Sequence, residues 1–447
     1  MHNSTKLFVT IVFIVSLSVR LSAQSLYFPP VTGSTWDTTS PATLGWCQDK
    51  IDSLISYAGQ HNTKALLLLK DGKMVVEHYY GTFTTDSAWQ WNSAGKSLTA
   101  FLTGLAQEQG YINIHDSLPK YLGHGFSSCT ANNEDSIRIY HQLTMTTGFD
   151  DMYGSIPNNP CYADSCLVCI AASGIRWAYH NAPYTLIHHI IDSATHQSIN
   201  AYTSANLIAS CGITGAWISP PSSPYDEIFF SKARSMARFG LLILGKGMWG
   251  TTTVLHDTTY LHNMLNTSQP INYSYGYLWW LNGKSSFHLP QTQVLFPGML
   301  EPDAPADMVT ALGKNDQLIN VVPSMGIVLI RMGDAASSSQ EVSTLFNDTL
   351  WIKLNAAFCN TSASNIQRFN AKPVLYPNPV QQTLYITFTG QKFSITLTDM
   401  TGRNIIISTS NTEKTTIDCK GLTPGIYFAR IVTEMGRVYN EKVLVEQ

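Results

Sequence analysis

The stretch WNSAGKSLTAFLTGL, residues 91–105, contains two short motifs that share one lysine. The letters AGKS match the second half of a phosphate-binding P-loop, in which Lys96 would hold a phosphate. The letters SAGK place Ser93 three residues before Lys96, a spacing that suits a serine nucleophile and a lysine base on one helix face. The rest of the chain decides between nucleotide binding and acyl transfer.

The P-loop interpretation fails on the first half of its motif. G-x-x-x-x-G-K-[ST] requires a glycine five positions before Gly95, and that position holds Gln90. The preceding letters, TTDSAWQWN, lack the apolar run of a buried strand. The sequence therefore excludes a P-loop.

The serine–lysine interpretation requires that the pair opens a helix. The apolar spacing of residues 97–110 predicts a helix that ends near Gly110, and we expect Asn92 to be its N-cap. A serine hydroxyl is a poor nucleophile until a base removes its proton, and the positive helix N-terminus favours an oxyanion. S-x-x-K is common by chance, so Ser93 and Lys96 need support from elsewhere in the chain.

Two later segments supply that support in a characteristic order. Tyr179-His180-Asn181 is a Y-x-N motif that leads into a helical pattern, and Lys314-Asn315 precedes a predicted hairpin, where a K-[ST]-G element would lie. With the S-x-x-K pair, they resemble the β-lactamase-related serine hydrolases, nearest to the class C and esterase-like branch. Further similar segments are LTMTTGFDD (143–151), SKARSMARFGLLIL (231–244) and YSYGYLWWLNG (273–283).

The resemblance implies an acyl-enzyme mechanism without metal or cofactor. Ser93 would attack a carbonyl carbon, and Lys96 and Tyr179 would share the role of base. Tyr179 would also protonate the leaving group. Asn181 would hydrogen-bond the substrate amide or Lys96, and Lys314 would be a nearby cation. The oxyanion would meet the N–H of Ser93 and a second N–H on the late strand.

The late motif departs from the family pattern. K-[ST]-G needs Ser or Thr at position 315 and Gly at 316, whereas this chain has Asn315 and Asp316, near which the second oxyanion N–H is expected. Glycine lets a substrate lie close to the strand. The bulk and negative charge of Asp316 would disfavour a β-lactam that carries a carboxylate.

The sequence thus predicts a serine hydrolase that cleaves an ester, amide or D-peptide bond of a small-molecule or peptide substrate. One alternative is a penicillin-binding D-peptidase or β-lactamase. The other, which Asp316 favours, is a non-catalytic surface binding protein that retains the fold. A metal role for His188 and His189 is not expected, because adjacent residues point to different helix faces.

The elements that position these residues indicate an α+β domain. KALLLLKDGKMVVEHYYG predicts a hairpin around Asp71-Gly72, QLINVVPSMGIVLIRMG predicts a second one, and FSKARSMARFGLLILGKG predicts an amphipathic helix. Hairpins at both ends with helices between them favour an antiparallel sheet. The resemblance implies a β-lactamase/penicillin-binding-protein-like fold, with helices flanking this sheet and a helical subdomain.

The two ends of the chain carry export signals. Residues 1–23, with an apolar run from Leu7 to Val19, predict a signal peptide. A hydrolase domain (24–360) and a linker (361–373) precede a small all-β sandwich (374–447). YPNP (376–379), TDMTGR (398–403) and LTPGIYFARI (422–431) resemble the type IX secretion C-terminal sorting domain, which implies that secretion machinery as a partner and a secreted or cell-surface protein.

Composition and cysteines agree with export. A net charge of -3 gives no basis for binding nucleic acid, and no second apolar stretch is long enough to cross a bilayer. Eight cysteines in an oxidising compartment predict disulfides, and CYADSCLVC is expected to be a disulfide-tied loop rather than a metal site. In the fold that the resemblance implies, the ends of the catalytic domain pack together, so we expect Cys47 to pair with Cys359.

Overall fold

The computed structural model describes residues 26–152, 161, 163–219, 227–336, 344–359, 373–388, 392–399, 403–410, 413–433 and 438–446. The predicted signal peptide and nearly all of the predicted linker lie outside the described residues. One hydrophobic core is built from side chains between Trp36 and Phe358, and a second from side chains between Val380 and Val445. The two cores correspond to the predicted hydrolase region and tail.

The helices are α1 (Gln48–Gln60), α2 (Gly95–Glu108), α3 (Pro119–Leu122), α4 (Ala131–Ser136), α5 (Ile139–Leu143), α6 (Asn181–Thr195), α7 (Ile199–Cys211), α8 (Ala233–Leu244), α9 (Thr258–Met264) and α10 (Thr344–Asn355). The strands of the first core are β1 (Thr63–Lys70), β2 (Lys73–Tyr79), β3 (Ala88–Gln90), β4 (Ala216–Ile218), β5 (Ile228–Lys232), β6 (Met248–Trp249), β7 (Thr252–Thr253), β8 (Trp280–Leu281), β9 (Ser286–Phe287), β10 (Phe296–Pro297), β11 (Val309–Gly313), β12 (Gln317–Val322) and β13 (Ile327–Gly333).

The largest sheet has six strands in the order β2-β1-β13-β12-β11-β8, and all neighbours are antiparallel. Both predicted hairpins are confirmed. Asp71 and Gly72 turn β1 into β2 with φ of 50° and 85°, the left-handed pair that a type I′ turn requires. A short turn from Pro323 to Gly326 joins β12 to β13.

Helices cover both faces of this sheet. Leu66 to Leu69 of β1 are all fully buried, which a strand achieves only when each face packs against another layer. Helix α8, the predicted amphipathic helix, lies against β12 and β13. Gly240 lets α8 approach closely, because a Cβ there would lie 2.5 Å from Val328 Cγ1.

A helical region packs beside the sheet around α2. Every residue of α2 from Gly95 to Ala106 is buried, so α2 is a central helix rather than a half-exposed amphipathic one. Helix α6 packs against α2 and also against α5 and α7. This packing brings the start of α6 next to the start of α2.

Three disulfides tie the first core together. Cys47 pairs with Cys359, as predicted, and this bond joins the start of α1 to the segment after α10. The CYADSCLVC loop is disulfide-tied, as expected, through Cys161–Cys166 and Cys129–Cys169. Cys211 and Cys419 are buried free thiols.

The tail is a small all-β unit, as predicted. Its strands are β14 (Val374–Tyr376), β15 (Thr383–Thr387), β16 (Phe393–Thr398), β17 (Asn404–Ser410), β18 (Lys414–Asp418), β19 (Gly425–Thr433) and β20 (Val438–Val445). They form one sheet in the order β14-β15-β18 and another in the order β17-β16-β19-β20, with apolar side chains between them. Among the described residues of the whole chain, no helix combines the length and apolar character that a bilayer crossing needs.

Candidate active site

Ser93 lies on a tight turn between a short strand and the central helix. After β3, Trp91 leads into a 3₁₀ turn, Asn92–Ala94, which continues directly into α2. Trp91 is fully buried, and its indole N–H donates to Ser231 Oγ at 2.8 Å. Its backbone N–H donates to the Phe229 carbonyl at 2.8 Å. These contacts with β5 fix the turn that presents Ser93.

Asn92 does not cap α2, contrary to the expectation from sequence. Its φ of 48° is left-handed, a conformation that asparagine tolerates better than most residues. Its side-chain amide donates to the Lys314 carbonyl at 2.7 Å. Asn92 therefore ties the Ser93 turn to the connection between β11 and β12.

Ser93 and Lys96 are in contact, as their spacing predicts. Lys96 Nζ donates to Ser93 Oγ at 3.0 Å, and Lys96 is only 5% exposed. The amine lies over two aromatic rings, 4.5 Å from the centre of Tyr184 and 5.1 Å from the centre of Tyr179. The lysine nitrogen is thus held between the serine hydroxyl and two apolar ring faces.

The Y-x-N motif opens α6 beside this pair. Asn181 is the first residue of α6, and Tyr179 lies two residues earlier in the extended segment before it. The Tyr179 ring stacks on Trp280, with 5.9 Å between centroids and 24° between planes. Trp280 belongs to the YGYLWW letters, whose aromatic side chains therefore support the site as well as fill the core.

Tyr275 lies in the same aromatic cluster but is not suited to act as a base. Burial raises the pKa of the Tyr275 phenol well above 10, and the neighbouring Tyr179 and Tyr184 shift it in the same direction. The phenol therefore stays protonated at neutral pH.

Lys314, Asn315 and Asp316 form the turn between β11 and β12. Asn315 and Asp316 are both left-handed, with φ of 62° and 59°. Arg331 donates to both of their carbonyls. The Asp316 side chain is 3% exposed and accepts the N–H of Ala336 at 2.7 Å. Asp316 thus has a structural contact that holds the turn, which the sequence did not reveal.

Gly313, a residue that sequence reasoning missed, packs directly against the Ser93 turn. A Cβ at this position would lie 2.3 Å from the Trp91 carbonyl oxygen and 2.9 Å from the Ala94 nitrogen. The sequence alignment to K-[ST]-G places the glycine position of the motif at residue 316, which is Asp316 in this chain. The glycine that permits the close approach is Gly313, the last residue of β11, three positions earlier. In the sequence, Gly313 could have been recognised as the last residue of ALG (311–313), immediately before the turn KND (314–316).

Among the described residues, no three His, Cys, Asp or Glu side chains come together as a metal site would require. His188 is buried and contacts Thr99 and Glu227 instead. These contacts make it part of the packing between α2 and α6.

Comparison with models of protein families gives a match that includes the serine–lysine pair of this site. The profile of the Beta-lactamase family matches residues 51–301, more than half of the 447 residues. The chain belongs to the beta-lactamase family. Within this beta-lactamase domain lie Ser93, Lys96 and Tyr179. The profile of the secretion system C-terminal sorting domain matches residues 374–446, so the tail is a sorting domain of that kind.

Solved structures share the beta-lactamase fold at low sequence identity. A Bacteroides dorei protein assigned as a beta-lactamase matches with a TM-score of 0.56 and 15% identity, over 70% of this chain and 99% of that one. A penicillin-binding protein homologue from Caulobacter crescentus gives 0.53 and 10%, over 70% and 98%. A family VIII carboxylesterase gives 0.52 and 11%, over 71% and 98%. No curated protein sequence matches the chain.

Proposed function

We propose that this chain is a secreted serine hydrolase that cleaves its substrate through an acyl-enzyme on Ser93. The observation that carries the proposal is the 3.0 Å contact between Lys96 Nζ and Ser93 Oγ at the start of a buried helix. A serine needs a base within hydrogen-bond reach to become a nucleophile. The same contact argues against a binding protein that only retains the fold.

In the first step, the unprotonated Lys96 amine takes the proton of Ser93 while Oγ bonds to the substrate carbonyl carbon. The ammonium that forms faces the rings of Tyr179 and Tyr184. Aromatic faces attract cations by about 2 kcal/mol where water is excluded. The rings therefore stabilise the charge that appears as Ser93 loses its proton.

The carbonyl oxygen becomes an oxyanion that needs hydrogen-bond donors. Ser93 lies at the N-terminal end of α2, where backbone N–H groups and the helix dipole favour negative charge. The close approach of Gly313 supports a second donor from the backbone at the end of β11. This position replaces the N–H near Asn315 or Asp316 that the motif suggested.

Collapse of the intermediate breaks the bond to the leaving group, which takes a proton from Tyr179 or Lys96. Water then adds to the acyl carbon and gives a proton to this pair, which passes a proton to Ser93 Oγ as the acyl–oxygen bond breaks, so that the acid product leaves and the Ser93 hydroxyl is restored. Asn181, at the start of α6, is placed to hydrogen-bond the substrate or Lys96.

The strand beside the site favours a substrate that carries no carboxylate. With Gly313 as the glycine of the late motif, its two preceding positions are Ala311 and Leu312, both buried and apolar. Neither side chain can hydrogen-bond a substrate carboxylate. We therefore propose neutral esters or amides as substrates ahead of β-lactams or D-peptides, which carry a carboxylate.

The test is a hydrolysis panel of nitrophenyl esters, an anilide, a D-alanyl-D-alanine peptide and a chromogenic cephalosporin. We expect ester or amide turnover by the wild type and none by Ser93→Ala. Ser97→Ala is the matched control, because it removes a buried hydroxyl four residues later, in the first turn of α2, and this hydroxyl bonds only the Leu278 carbonyl. Unchanged turnover by Ser93→Ala would refute the proposal.

The sorting domain supports export of the hydrolase through type IX secretion, with the signal peptide at residues 1–23 as the route to the periplasm. Deleting residues 374–447 in a host with that machinery should leave the hydrolase in the periplasm, while the full chain reaches the surface or the medium. Surface delivery of the truncated chain would contradict this assignment.

A further inference from the structure

A chain of polar side chains runs from the ring of Tyr184, beside Lys96, along the interface between α2 and α6 to Glu227. The Tyr184 hydroxyl lies 3.0 Å from Thr99 Oγ1, which lies 2.8 Å from His188 Nε2. His188 Nδ1 lies 2.6 Å from Glu227 Oε2. Thr99 and His188 are no more than 1% exposed. The chain links α2, α6 and the segment before β5.

The direction of these hydrogen bonds follows when Glu227 is ionised and His188 is neutral. An ionised Glu227 only accepts, so His188 donates to it through Nδ1. The Nε2 of a neutral imidazole is then an acceptor, and Thr99 donates to it. Tyr184 in turn donates to Thr99. Hydrogen bonds aligned in this way polarise one another, which makes the Tyr184 phenol more electron-rich.

The ring at the end of this chain is the one closest to Lys96. Tyr184 lies 4.5 Å from Nζ, against 5.1 Å for Tyr179. The ring face can stabilise the Lys96 ammonium only while the ring stays beneath Nζ. Its hydroxyl is held by Thr99, which is held by His188.

We propose that His188, oriented by Glu227, is a positioning residue for Ser93 acylation. It fixes Thr99 and, through it, the Tyr184 ring that stabilises the Lys96 ammonium. This inference rests on the proposed function, in which that ammonium forms as Ser93 attacks. It gives His188 a role beyond the packing of α2 against α6.

The first test uses the middle of the chain, where substitutions preserve volume. Thr99→Val removes the hydroxyl and keeps the shape, so we expect kcat on the best ester substrate to fall about tenfold, the effect of one hydrogen bond. KM should stay unchanged, because Thr99 does not touch the substrate. Thr99→Ser keeps the hydroxyl and should restore kcat.

Thr103→Val is the matched control. Thr103 lies one turn further along α2, is fully buried, and donates only to the Thr99 carbonyl of its own helix. We expect wild-type kcat from this variant despite a similar loss of stability. Equal losses of kcat in Thr99→Val and Thr103→Val would overturn the proposal, because they would show a structural effect alone.

The second test is at His188 itself. Glutamine can place a neutral acceptor near the position of Nε2, so His188→Gln should retain most of kcat, while His188→Leu should lose about tenfold. Wild-type kcat in a folded His188→Leu variant would overturn the inference and leave Ser93 acylation intact. If the wild type itself fails to turn over or acylate, the proposed function fails instead.

Discussion

Gly313→Ala tests whether the close approach of β11 to the Ser93 turn matters for activity. The added methyl would lie 2.3 Å from the Trp91 carbonyl oxygen and 2.9 Å from the Ala94 nitrogen. Both are backbone atoms, so no side-chain rotation relieves the clash. The Ser93 turn and the end of β11 must move apart.

The size of the movement sets the expected loss of activity. Ordinary carbon–oxygen contact needs roughly 1 Å more than the 2.3 Å available at the Trp91 oxygen. A misplacement of about 1 Å in an active site can cost about 100-fold in rate. Overpacking costs about 1–3 kcal/mol of stability, which a domain with three disulfides should tolerate. We therefore expect a folded protein with kcat reduced about 100-fold.

The assay is steady-state ester hydrolysis beside thermal unfolding, with Gly245→Ala as the control. A methyl at Gly245 would lie 2.7 Å from the Met248 carbonyl oxygen, a similar backbone clash at the end of α8. We expect Gly245→Ala to lose stability and keep kcat. Wild-type kcat in Gly313→Ala would refute the reasoning that places β11 at the oxyanion site.

Three further predictions follow from single residues. Lys96→Met should lower kcat/KM for ester hydrolysis about 10²–10⁴-fold, the usual contribution of a general base. Burial and Arg138 lower the pKa of His141 to about 4, below its ordinary 6.5, so the folding stability that neutral His141 provides is complete above pH 6.5 and is lost as the pH falls toward 4. The melting temperature of His141→Gln should therefore fall less over that range than the wild type's. Burial raises the pKa of the fully buried Glu301 well above 4.5, so the part of the folding stability that protonated Glu301 provides should decline as the pH rises above 4.5, and the unfolding free energy of the wild type in urea should fall relative to that of Glu301→Gln.

Each of these predictions has a result that would contradict it. Wild-type kcat/KM in Lys96→Met would contradict the first. A melting temperature of His141→Gln that depends on pH as the wild type's does would contradict the second. For Glu301→Gln, the contradiction would be a difference in unfolding free energy from the wild type that stays constant as the pH rises above 4.5.

Local spacing was enough to predict several parts of the structure. The Asp71-Gly72 hairpin follows from turn chemistry that two residues determine. The contact between Ser93 and Lys96 follows from helix periodicity over one turn. The Cys47–Cys359 bond was expected from the family resemblance, since its partners lie 312 residues apart.

Features that depend on packing between distant segments could not be predicted from the sequence alone. The motif K-[ST]-G drew attention to Lys314, whereas the close approach that needs glycine occurs at Gly313. Asn92 looked like a helix cap, but its partner is the Lys314 carbonyl, 222 positions away. The contact between Thr99 and His188 required α6 to pack against α2 in one specific orientation.

The central claim is that Ser93 becomes acylated, and the mass of the intact protein tests it most directly. The wild type, treated with a fluorophosphonate or a slowly hydrolysed activated ester, should gain the mass of one adduct, and peptide mapping should place it on Ser93. Ser93→Ala should gain none, and Ser97→Ala should label like the wild type. An adduct that persists in Ser93→Ala, or an active wild type whose adduct maps to another residue, would contradict the account.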